Sequence, residues 1–434
     1  MAAPDVTSPS FREALGVWLK IGFLGFGGPA GQIALLHKEV VERRGWIDDD
    51  RFQHALSFCM LLPGPEAQQL ATYLGWLLHG VRGGVTAGLL FVLPGLALLI
   101  GLSALYVVAG AQPQAQAVLL GLKAAVVALV LEALLRIGRR SLKSRAAVAT
   151  AILALAAMLF FQAPFPLVVL AAGVAGALIG RGAPAPANAP PEAPVRFART
   201  VRSVLVWGAI WLAPVALVFV LLGPESPVAR MGVFFSQAAL VTFGGAYAVL
   251  AYVAQAAVEG FGWLTPGQML DGLGLAETTP GPLILVLVFV GFVGAFQTAP
   301  EGWAWASAFG AALLTAWATF APSFLWIFAG APYVERLRHA RRLAGALALV
   351  GAAVTGVIAH LALWFALHLM FARTEVLAAG PLRIEAPVLA SLVWPAALLV
   401  SLGCVLVFVL HRGVFTTLGV CIAAALGLQL LRWL

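Results

Sequence analysis

The sequence has little charge and little cysteine. Lys, Arg, Asp and Glu together make up 10% of its 434 residues, whereas 62% of the residues are hydrophobic. Many apolar runs exceed the roughly 18 residues needed to cross a bilayer, so soluble classes of protein are excluded. The three cysteines, Cys59, Cys404 and Cys421, lie in apolar stretches and lack the CxxC spacing of redox and zinc sites. We expect them to be buried hydrophobic side chains.

Catalytic and nucleotide-binding motifs are missing as well. The sequence contains no HExxH motif, no Walker-type phosphate loop and no paired histidines at metal-ligand spacing. We therefore expect neither an enzyme nor an ATP-driven pump, and no cofactor or metal. The formal charge is +8, and the positive residues cluster in a few loops between apolar runs. This distribution is typical of the cytoplasmic loops of membrane proteins, so no nucleic-acid partner is expected. The polar first ten residues also predict no removable signal peptide.

One pattern occurs twice with its spacing kept. The first copy contains FGGP, GWI and PGP, which begin at Phe26, Gly45 and Pro63. The second copy contains FGGA, GWL and PGP, which begin at Phe243, Gly262 and Pro280. Each pair is offset by the same 217 positions, because 243 − 26, 262 − 45 and 280 − 63 agree. A repeat with glycine and proline inside apolar segments indicates a secondary transporter.

The predicted fold is an all-α integral membrane protein with about thirteen transmembrane helices. We expect an N-terminal repeat over 1–180, an Ala/Pro-rich basic cytoplasmic linker over 181–200, a connecting transmembrane helix over 201–227 and a C-terminal repeat over 228–434. The single connecting helix makes the two halves cross in opposite directions. The prediction is therefore two inverted-topology repeats with broken helices.

The first candidate site element is a glycine-rich interruption. Gly27, Gly28 and Pro29 lie well inside the first apolar segment, and Gly244 and Gly245 are their counterparts in the second half. Adjacent glycines and a proline should break or kink a helix. Open backbone at membrane depth survives only where it is buried in protein or lines a wet cavity. The alternative is a close helix-packing contact through small residues.

The second candidate element is the PGP motif. A proline at the start of a new helix leaves free N–H groups after it, and these favour an anion. Two such ends meeting near the membrane midplane would hold a small anion, and two threonines add hydroxyl groups beside the second copy. The alternative is a pair of ordinary proline kinks. The residues concerned are Pro63, Gly64 and Pro65 in the first half, and Thr278, Thr279, Pro280 and Gly281 in the second.

Polar side chains adjoin both PGP motifs. Glu66 and Gln68 follow the first, and Glu277 precedes the second. Ionisable groups at membrane depth are costly and are functional candidates by default. An ionised Glu66 would repel an anion, so we expect Glu66 and Glu277 to carry protons in coupling. The alternative is that Glu66 caps its own helix.

The segment His37–Arg51 is rich in charges of both signs. Its spacing predicts an amphipathic helix that lies at the membrane interface or dips back into the bilayer. The alternative is a solvated loop held by salt bridges.

The chain resembles the chromate ion transporter family in its long two-domain form. The resemblance is strongest over 26–46, 55–84 and 88–95, and it continues over 242–253 and 274–283. It implies a binding signature made of Gly27, Gly28, Pro29, Gln32, Arg43, Gly45, Trp46, Pro63, Gly64, Pro65, Glu66 and Gln68. The second half departs from this signature, since Val249 stands at the place of Gln32 and Leu283 at that of Glu66.

The resemblance implies a secondary transporter that exports chromate across the bacterial inner membrane and gives chromate resistance. Alternating access coupled to protons is the expected mechanism. A transporter for sulfate, which resembles chromate in charge and shape, or for another small oxyanion is the alternative. A membrane sensor or scaffold and an intramembrane enzyme fit less well, because no soluble signalling domain or activated nucleophile is evident. The expected partners are chromate and the lipid bilayer, with a homodimer left open.

Overall fold

The computed structural model describes residues 9–179, 197–243, 246–333, 341–380 and 382–433. These residues form sixteen α-helices, which confirms the all-α prediction. An antiparallel hairpin of two strands, β1 (Thr374–Ala379) and β2 (Leu382–Pro387), was not predicted. It connects two of the helices near the end of the chain.

The helices of the first half and the connecting segment are α1 (Phe11–Leu24), α2 (Gly28–His37), α3 (Asp49–Cys59), α4 (Glu66–Ala109), α5 (Pro113–Ser141), α6 (Arg145–Phe161), α7 (Phe165–Ile179) and α8 (Phe197–Leu222). Those of the second half are α9 (Pro227–Leu240), α10 (Ala246–Ala254), α11 (Pro266–Glu277), α12 (Val286–Thr298), α13 (Ala304–Gly330), α14 (Arg341–Met370), α15 (Trp394–Cys404) and α16 (Val414–Leu430). Helix α8 begins within the predicted linker, the earlier part of which lies outside the described residues.

The glycine-rich motif interrupts the first span, as predicted. Helix α1 ends at Leu24 and α2 begins at Gly28, because Gly27 and Gly28 adopt φ values of +85° and +67°. This left-handed region favours glycine. Helix α1 has 14 residues and α2 has 10. Neither reaches the roughly 30 Å thickness of the hydrocarbon core at about 1.5 Å per residue. Lys20 on α1 lies 2.9 Å from Glu39, just after α2, so α2 folds back beside α1 and does not continue it.

Both PGP motifs also interrupt helices. Gly64 between α3 and α4 has φ +125°, and Gly281 between α11 and α12 has φ +98°. Pro65 stands directly before the first residue of α4, one position earlier than predicted. Pro282 stands before a short 3₁₀ turn that leads into α12. The predicted broken helices are therefore present in both halves.

The segment between the two breaks has the same backbone form in both repeats. After α2 the chain makes a π-helical turn over Lys38–Glu42, and after α10 it makes one over Gln255–Gly260. Gly45 and Gly262 then turn the chain with φ values of +60° and +63°. The predicted amphipathic helix over 37–51 is thus a π-helical turn, a reversal and the start of α3.

Helix α4 is a hairpin of two helical arms, 66–78 and 81–109. Its reversal is at His79 and Gly80, where the dihedral angles leave the helical region. The arms meet backbone to backbone at Gly75 and Gly83, since a Cβ atom on either would collide with the carbonyl of the other. The two spans predicted over 56–79 and 85–109 correspond to these arms and to α3.

Five described helical segments are long and apolar enough to cross a membrane, and the first of them is the α4 hairpin. They are Glu66–Ala109, Pro113–Ser141, Thr200–Leu222, Ala304–Gly330 and Arg342–Met370. Five further apolar helices are shorter, with 10–17 residues. The count of thirteen spans and the inverted orientation of the repeats stay predictions.

The helices fall into two compact units. The first unit comprises 1–100, 185–246 and 279–340, and the second comprises 101–184, 247–278 and 341–434. In the first unit α13 packs against α8, α9 and α12. In the second unit α14 packs against α5, α6 and α7. Each unit draws segments from both predicted repeats.

Candidate anion-binding site

The helix breaks of the two repeats bind each other reciprocally within the first unit. The amide of Gly281 donates to the carbonyl of Gly25 at 2.8 Å, and the amide of Gly64 donates to that of Thr242 at 2.8 Å. These contacts are equivalent under the repeat, because 242 − 25 and 281 − 64 both give 217. Each glycine-rich break therefore accepts a hydrogen bond from the PGP break of the other half.

A small cavity lies where these breaks meet. The beginnings of four helical segments contribute to its wall, namely those of α2, α4, α10 and the 3₁₀ turn before α12. The lining residues are Pro29, Gln32, Pro65, Glu66, Ala67, Thr242, Ala246, Pro282, Leu283 and Ile284. A helix N-terminus carries unpaired N–H groups and a partial positive charge, so their convergence favours an anion.

The volume of this cavity is about 20 Å³, which is enough for one water molecule. A tetrahedral oxyanion has four oxygen atoms and is larger than that. The surrounding segments must therefore move apart before such an ion can occupy the position. The reciprocal hydrogen bonds of the breaks are the contacts that hold these segments together.

Gln32 joins the two breaks by its side chain. Its Nε2 donates to the carbonyl of Gly25 at 3.0 Å and to that of Gly281 at 2.6 Å. The residue is fully buried, and its Oε1 has no hydrogen-bond partner among the described residues. The carbonyl of Gly25 already accepts the amide of Gly281, so the side chain of Gln32 adds a second hydrogen bond there and binds the carbonyl of Gly281 as well.

Two further amides follow the first PGP motif on the opening turn of α4. Gln69 Nε2 donates to the carbonyl of Pro63 at 2.7 Å, which fixes the turn before the helix. Gln68 is fully buried, and neither of its amide atoms has a partner within the described part of the chain. Gln68 lines a separate, largely apolar cavity of about 330 Å³ between α4, α8 and α13.

The amide and carboxyl side chains at the site come from the first repeat. Gln32, Glu66, Gln68 and Gln69 correspond, at the offset of 217, to Val249, Leu283, Leu285 and Val286. The backbone of the two breaks is thus symmetric, but their side-chain chemistry is not. The second repeat supplies backbone, apolar wall and Thr242, and the first supplies amides and a carboxyl group.

The model of the family described as "Chromate transporter" matches residues 12–177 and 229–428, which is most of the chain. The chain belongs to the chromate transporter family. A chromate transport protein from Pseudomonas aeruginosa is 36% identical over 352 residues, covering 80% of this chain and 79% of the relative. A chromate transport protein from Cupriavidus metallidurans is 28% identical and covers 76% of this chain and 77% of its own length. A probable chromate transport protein from Synechococcus elongatus is 28% identical over 351 residues.

No solved structure matches the chain. These relatives are named as transport proteins. Membership of this family confirms the prediction of a transporter rather than an enzyme. The apolar helices agree with a multi-pass membrane protein. Family membership thus confirms the resemblance on which the candidate residues depend, while their roles stay predictions.

Arg43, one of these candidates, lies in an ion cluster and is not among the described residues that line the cavity. Glu39 is 1% exposed and receives Lys20 Nζ at 2.9 Å, Arg43 Nη1 at 2.6 Å and Arg44 Nη1 at 2.5 Å. Burial alone would raise the pKa of Glu39, but hydrogen bonds from Lys20 and Arg44 lower it to about 2. The cluster therefore carries three positive charges against one negative charge just beyond the end of α2.

The remaining candidates have different surroundings. Gly27 is the residue before α2 and adopts the left-handed backbone conformation. Thr279 is buried. The carbonyl of Pro280 packs against Gly95, and a Cβ atom on Gly95 would collide with this carbonyl. Gly244 and Gly245 lie outside the described residues. The structure therefore brings together Pro29, Gln32, Pro65 and Glu66 at one cavity, with Gly64 and Gly281 beside it.

Glu277 and Thr278 belong to the second unit. Tyr247 Oη donates to Glu277 Oε1 at 3.0 Å, and the hydroxyl of Thr278 donates to the carbonyl of Leu275 at 2.7 Å. Glu277 is therefore held by a tyrosine within its own unit. The threonine hydroxyl is engaged by its own helix.

Sequence reasoning missed a buried ion pair in the second unit. Lys123 Nζ on α5 lies 3.1 Å from Asp271 Oδ1 on α11, and Tyr106 Oη donates to Asp271 Oδ2 at 3.1 Å. Neither Lys123 nor Asp271 is among the predicted site residues. An acidic residue inside the otherwise apolar α11 was the signal that could have found it.

Proposed function

We propose that this protein is a secondary active transporter that exports chromate across the bacterial inner membrane. The observation that carries the proposal is the convergence of three helix N-termini and the start of a 3₁₀ turn on one small cavity in the first unit. Chromate is a tetrahedral dianion that loses strongly bound water when it leaves solution. Backbone N–H groups at helix beginnings replace that water without adding a mobile positive charge. Chromate resistance would follow from export.

Alternating access at this site requires the two breaks to separate. When they do, the amides of Gly64 and Gly281 lose their carbonyl acceptors and can donate to an oxyanion instead. The amide of Gln32, now held by two carbonyls, becomes a donor to the ion in the same way. The same groups thus close the empty site and bind the substrate.

Glu66 is the proposed link to protons. Glu66 lines the cavity, where an ionised carboxylate would repel a dianion. Binding would therefore favour the protonated form of Glu66, so that proton and substrate occupancy are linked. Glu277 is a second candidate for coupling in the other unit. A membrane potential that is negative inside favours outward movement of a dianion by about 4.6 kcal/mol per 100 mV, twice the value for one charge.

Inverted inner-membrane vesicles test the proposal. Vesicles that contain the protein should accumulate radiolabelled chromate when energised, and collapsing the potential and the pH gradient separately identifies the driving force. Glu66→Gln should keep transport but lose most of its dependence on the pH gradient. Labelled sulfate offered to the same vesicles measures the choice between the two dianions.

The double variant Pro63→Ala/Pro65→Ala is the control for the site. It should be inserted at normal abundance and accumulate chromate no faster than vesicles without the protein. Uptake by this variant at the parental rate would contradict the assignment of the chromate-binding site to these helix breaks. Failure of the parent itself to accumulate chromate would contradict the function.

A further inference from the structure

Three hydroxyl groups form a line on one face of α13 in the first unit. Thr315, Thr319 and Ser323 are spaced four residues apart, which places them above one another on a helix. All three are buried, with exposed fractions of 0%, 4% and 1%. They lie in the central part of a 27-residue apolar helix that begins at Ala304. We call these three residues the hydroxyl track.

The hydroxyls of the track have no hydrogen-bond partner among the described residues. This is unusual for Ser and Thr in a helix, because their hydroxyls commonly donate to the carbonyl four residues earlier. Ser236 on α9 and Thr355 on α14 do so, at 2.8 Å and 3.1 Å. A buried hydroxyl without a partner costs about 1–3 kcal/mol, so three in one line are a cost that needs a reason.

One end of the track lies at the PGP break. A Cβ atom placed on Gly64 would be 3.4 Å from Ser323 Oγ and 2.6 Å from Gln69 Nε2, so both side chains converge on this glycine. At the other end a Cβ atom on Gly291 of α12 would be 2.5 Å from Thr315 Oγ1. The track thus extends roughly 12 Å along the helix axis from the break towards α12.

Unpaired amide atoms lie at the same end. Gln68 on the first turn of α4 has both amide atoms without a partner in the described structure, and Gln69 has an unpaired Oε1. Buried polar groups in a low-dielectric interior are expensive unless something pairs with them. Of the unpaired groups here, Gln68 Nε2 and the hydroxyl of Ser323 are neutral donors, which suits an ion that carries acceptor oxygens only; the amide oxygens of Gln68 and Gln69 only accept.

We propose that the hydroxyl track, together with the amide of Gln68, contacts the oxyanion as it passes along α13 between the helix breaks near Ser323 and the level of Thr315. This inference rests on the proposed function and assigns substrate-contacting residues to a helix outside the family signature. Neutral donors spaced one helical turn apart bind a dianion in weak successive steps. An ion that has to leave again needs such weak, multiple sites.

Removal of single hydroxyl groups tests the proposal. Thr319→Val keeps the shape of the side chain and removes the unpaired hydroxyl, and Ser323→Ala does the same at the break. Each should raise the KM for chromate in inverted vesicles by roughly fivefold, the equivalent of one net hydrogen bond. Each should leave the melting temperature of the purified protein unchanged or raise it, because a buried unsatisfied group is lost.

Matched variants separate this role from a structural one. Thr319→Ser restores a hydroxyl and should bring the KM back towards that of the parent. Ser236→Ala and Thr355→Val remove hydroxyls that are paired within their helices, and they should leave the KM unchanged. A parental KM in both Thr319→Val and Ser323→Ala, or a clearly lowered melting temperature in both, would overturn the proposal that the hydroxyl track contacts the substrate. Chromate transport by the parent would still support the proposed function in either case.

Discussion

Trp211 on α8 and Trp317 on α13 each donate an indole hydrogen bond to the other helix, close to the proline within that helix. Trp211 Nε1 donates to the carbonyl of Ala318 at 3.2 Å. Ala318 precedes Pro322 by four residues, and a proline has no N–H to donate to that carbonyl. The indole therefore replaces the hydrogen bond that Pro322 removes.

The converse contact is made at the proline of α8. Trp317 Nε1 is shared between the carbonyls of Ile210 at 3.2 Å and Trp211 at 3.1 Å, and Ile210 precedes Pro214 by four residues. Each helix thus supplies the tryptophan that the other helix needs at its proline. This exchange fixes the position of α8 against α13, the helix that carries the hydroxyl track.

Trp211→Phe should lower the free energy of unfolding by about 1–3 kcal/mol, because it leaves a buried carbonyl without a donor. Adding Pro322→Ala restores an N–H four residues after Ala318, so the double variant should recover part of the loss. Thermal unfolding of the four proteins of the cycle in detergent measures the coupling. Strictly additive losses would show that the indole does not pair with that carbonyl.

Alanine at the turn glycines should impair transport. Gly64 and Gly281 have φ values of +125° and +98°, and an alanine in this region strains the backbone. We expect Gly64→Ala and Gly281→Ala each to reduce chromate uptake at least tenfold, a barrier change of about 1.4 kcal/mol. Gly310→Ala on α13 is the matched control, since a Cβ atom there meets no atom within 4 Å. Uptake equal to that of Gly310→Ala would contradict a need for glycine at the breaks.

Gln32→Met should uncouple the two breaks while keeping the length of the side chain. It removes the two bonds from Nε2 to the carbonyls of Gly25 and Gly281. We expect a loss of about 1–3 kcal/mol in unfolding free energy and a strong fall in uptake. The exposed amide of Gln297 offers a control, and Gln297→Met should change neither quantity. Equal stability of the two variants would argue against the bridge.

Glu39→Gln should destabilise the protein by about 1–3 kcal/mol, because Lys20, Arg43 and Arg44 lose the charge that they surround. The pKa of Glu39 is lowered from 4.5 to about 2, so its contribution is complete above pH 4.5. The stability difference between parent and variant should stay constant from pH 8 to pH 5. It should shrink only as the pH falls from 4.5 towards 2, as thermal unfolding across this range would show. A difference that disappears near neutral pH would mean that another group holds the cluster.

The sequence was sufficient to predict where the helices break. Glycine and proline act on their own backbone, so FGGP and PGP report local structure directly, and the offset of 217 carries it to the second half. The sequence was not sufficient to predict which break binds which. Gly25 and Gly281 are far apart in the chain, and their contact depends on tertiary packing that no local pattern encodes.

The chemistry of individual side chains was predictable only in part. Gln32 entered through the family resemblance, yet its role as a bridge became visible only in the structure. Arg43 entered in the same way, and the structure places it with Glu39, since a buried carboxylate competes for any nearby cation. The hydroxyl track was missed because threonine and serine in an apolar helix usually satisfy themselves on the backbone.

The cavity at the helix beginnings has the volume of about one water molecule, and in the proposed mechanism this sets the order of events in a turnover. The amides of Gly64 and Gly281 would exchange their acceptor, since a carbonyl oxygen would be released as an oxygen of the cargo arrives. For each amide, one hydrogen bond would then replace another. Without cargo the same step would leave these buried donors unpaired, so the empty carrier would resist separation of its two breaks and would be protected against leak.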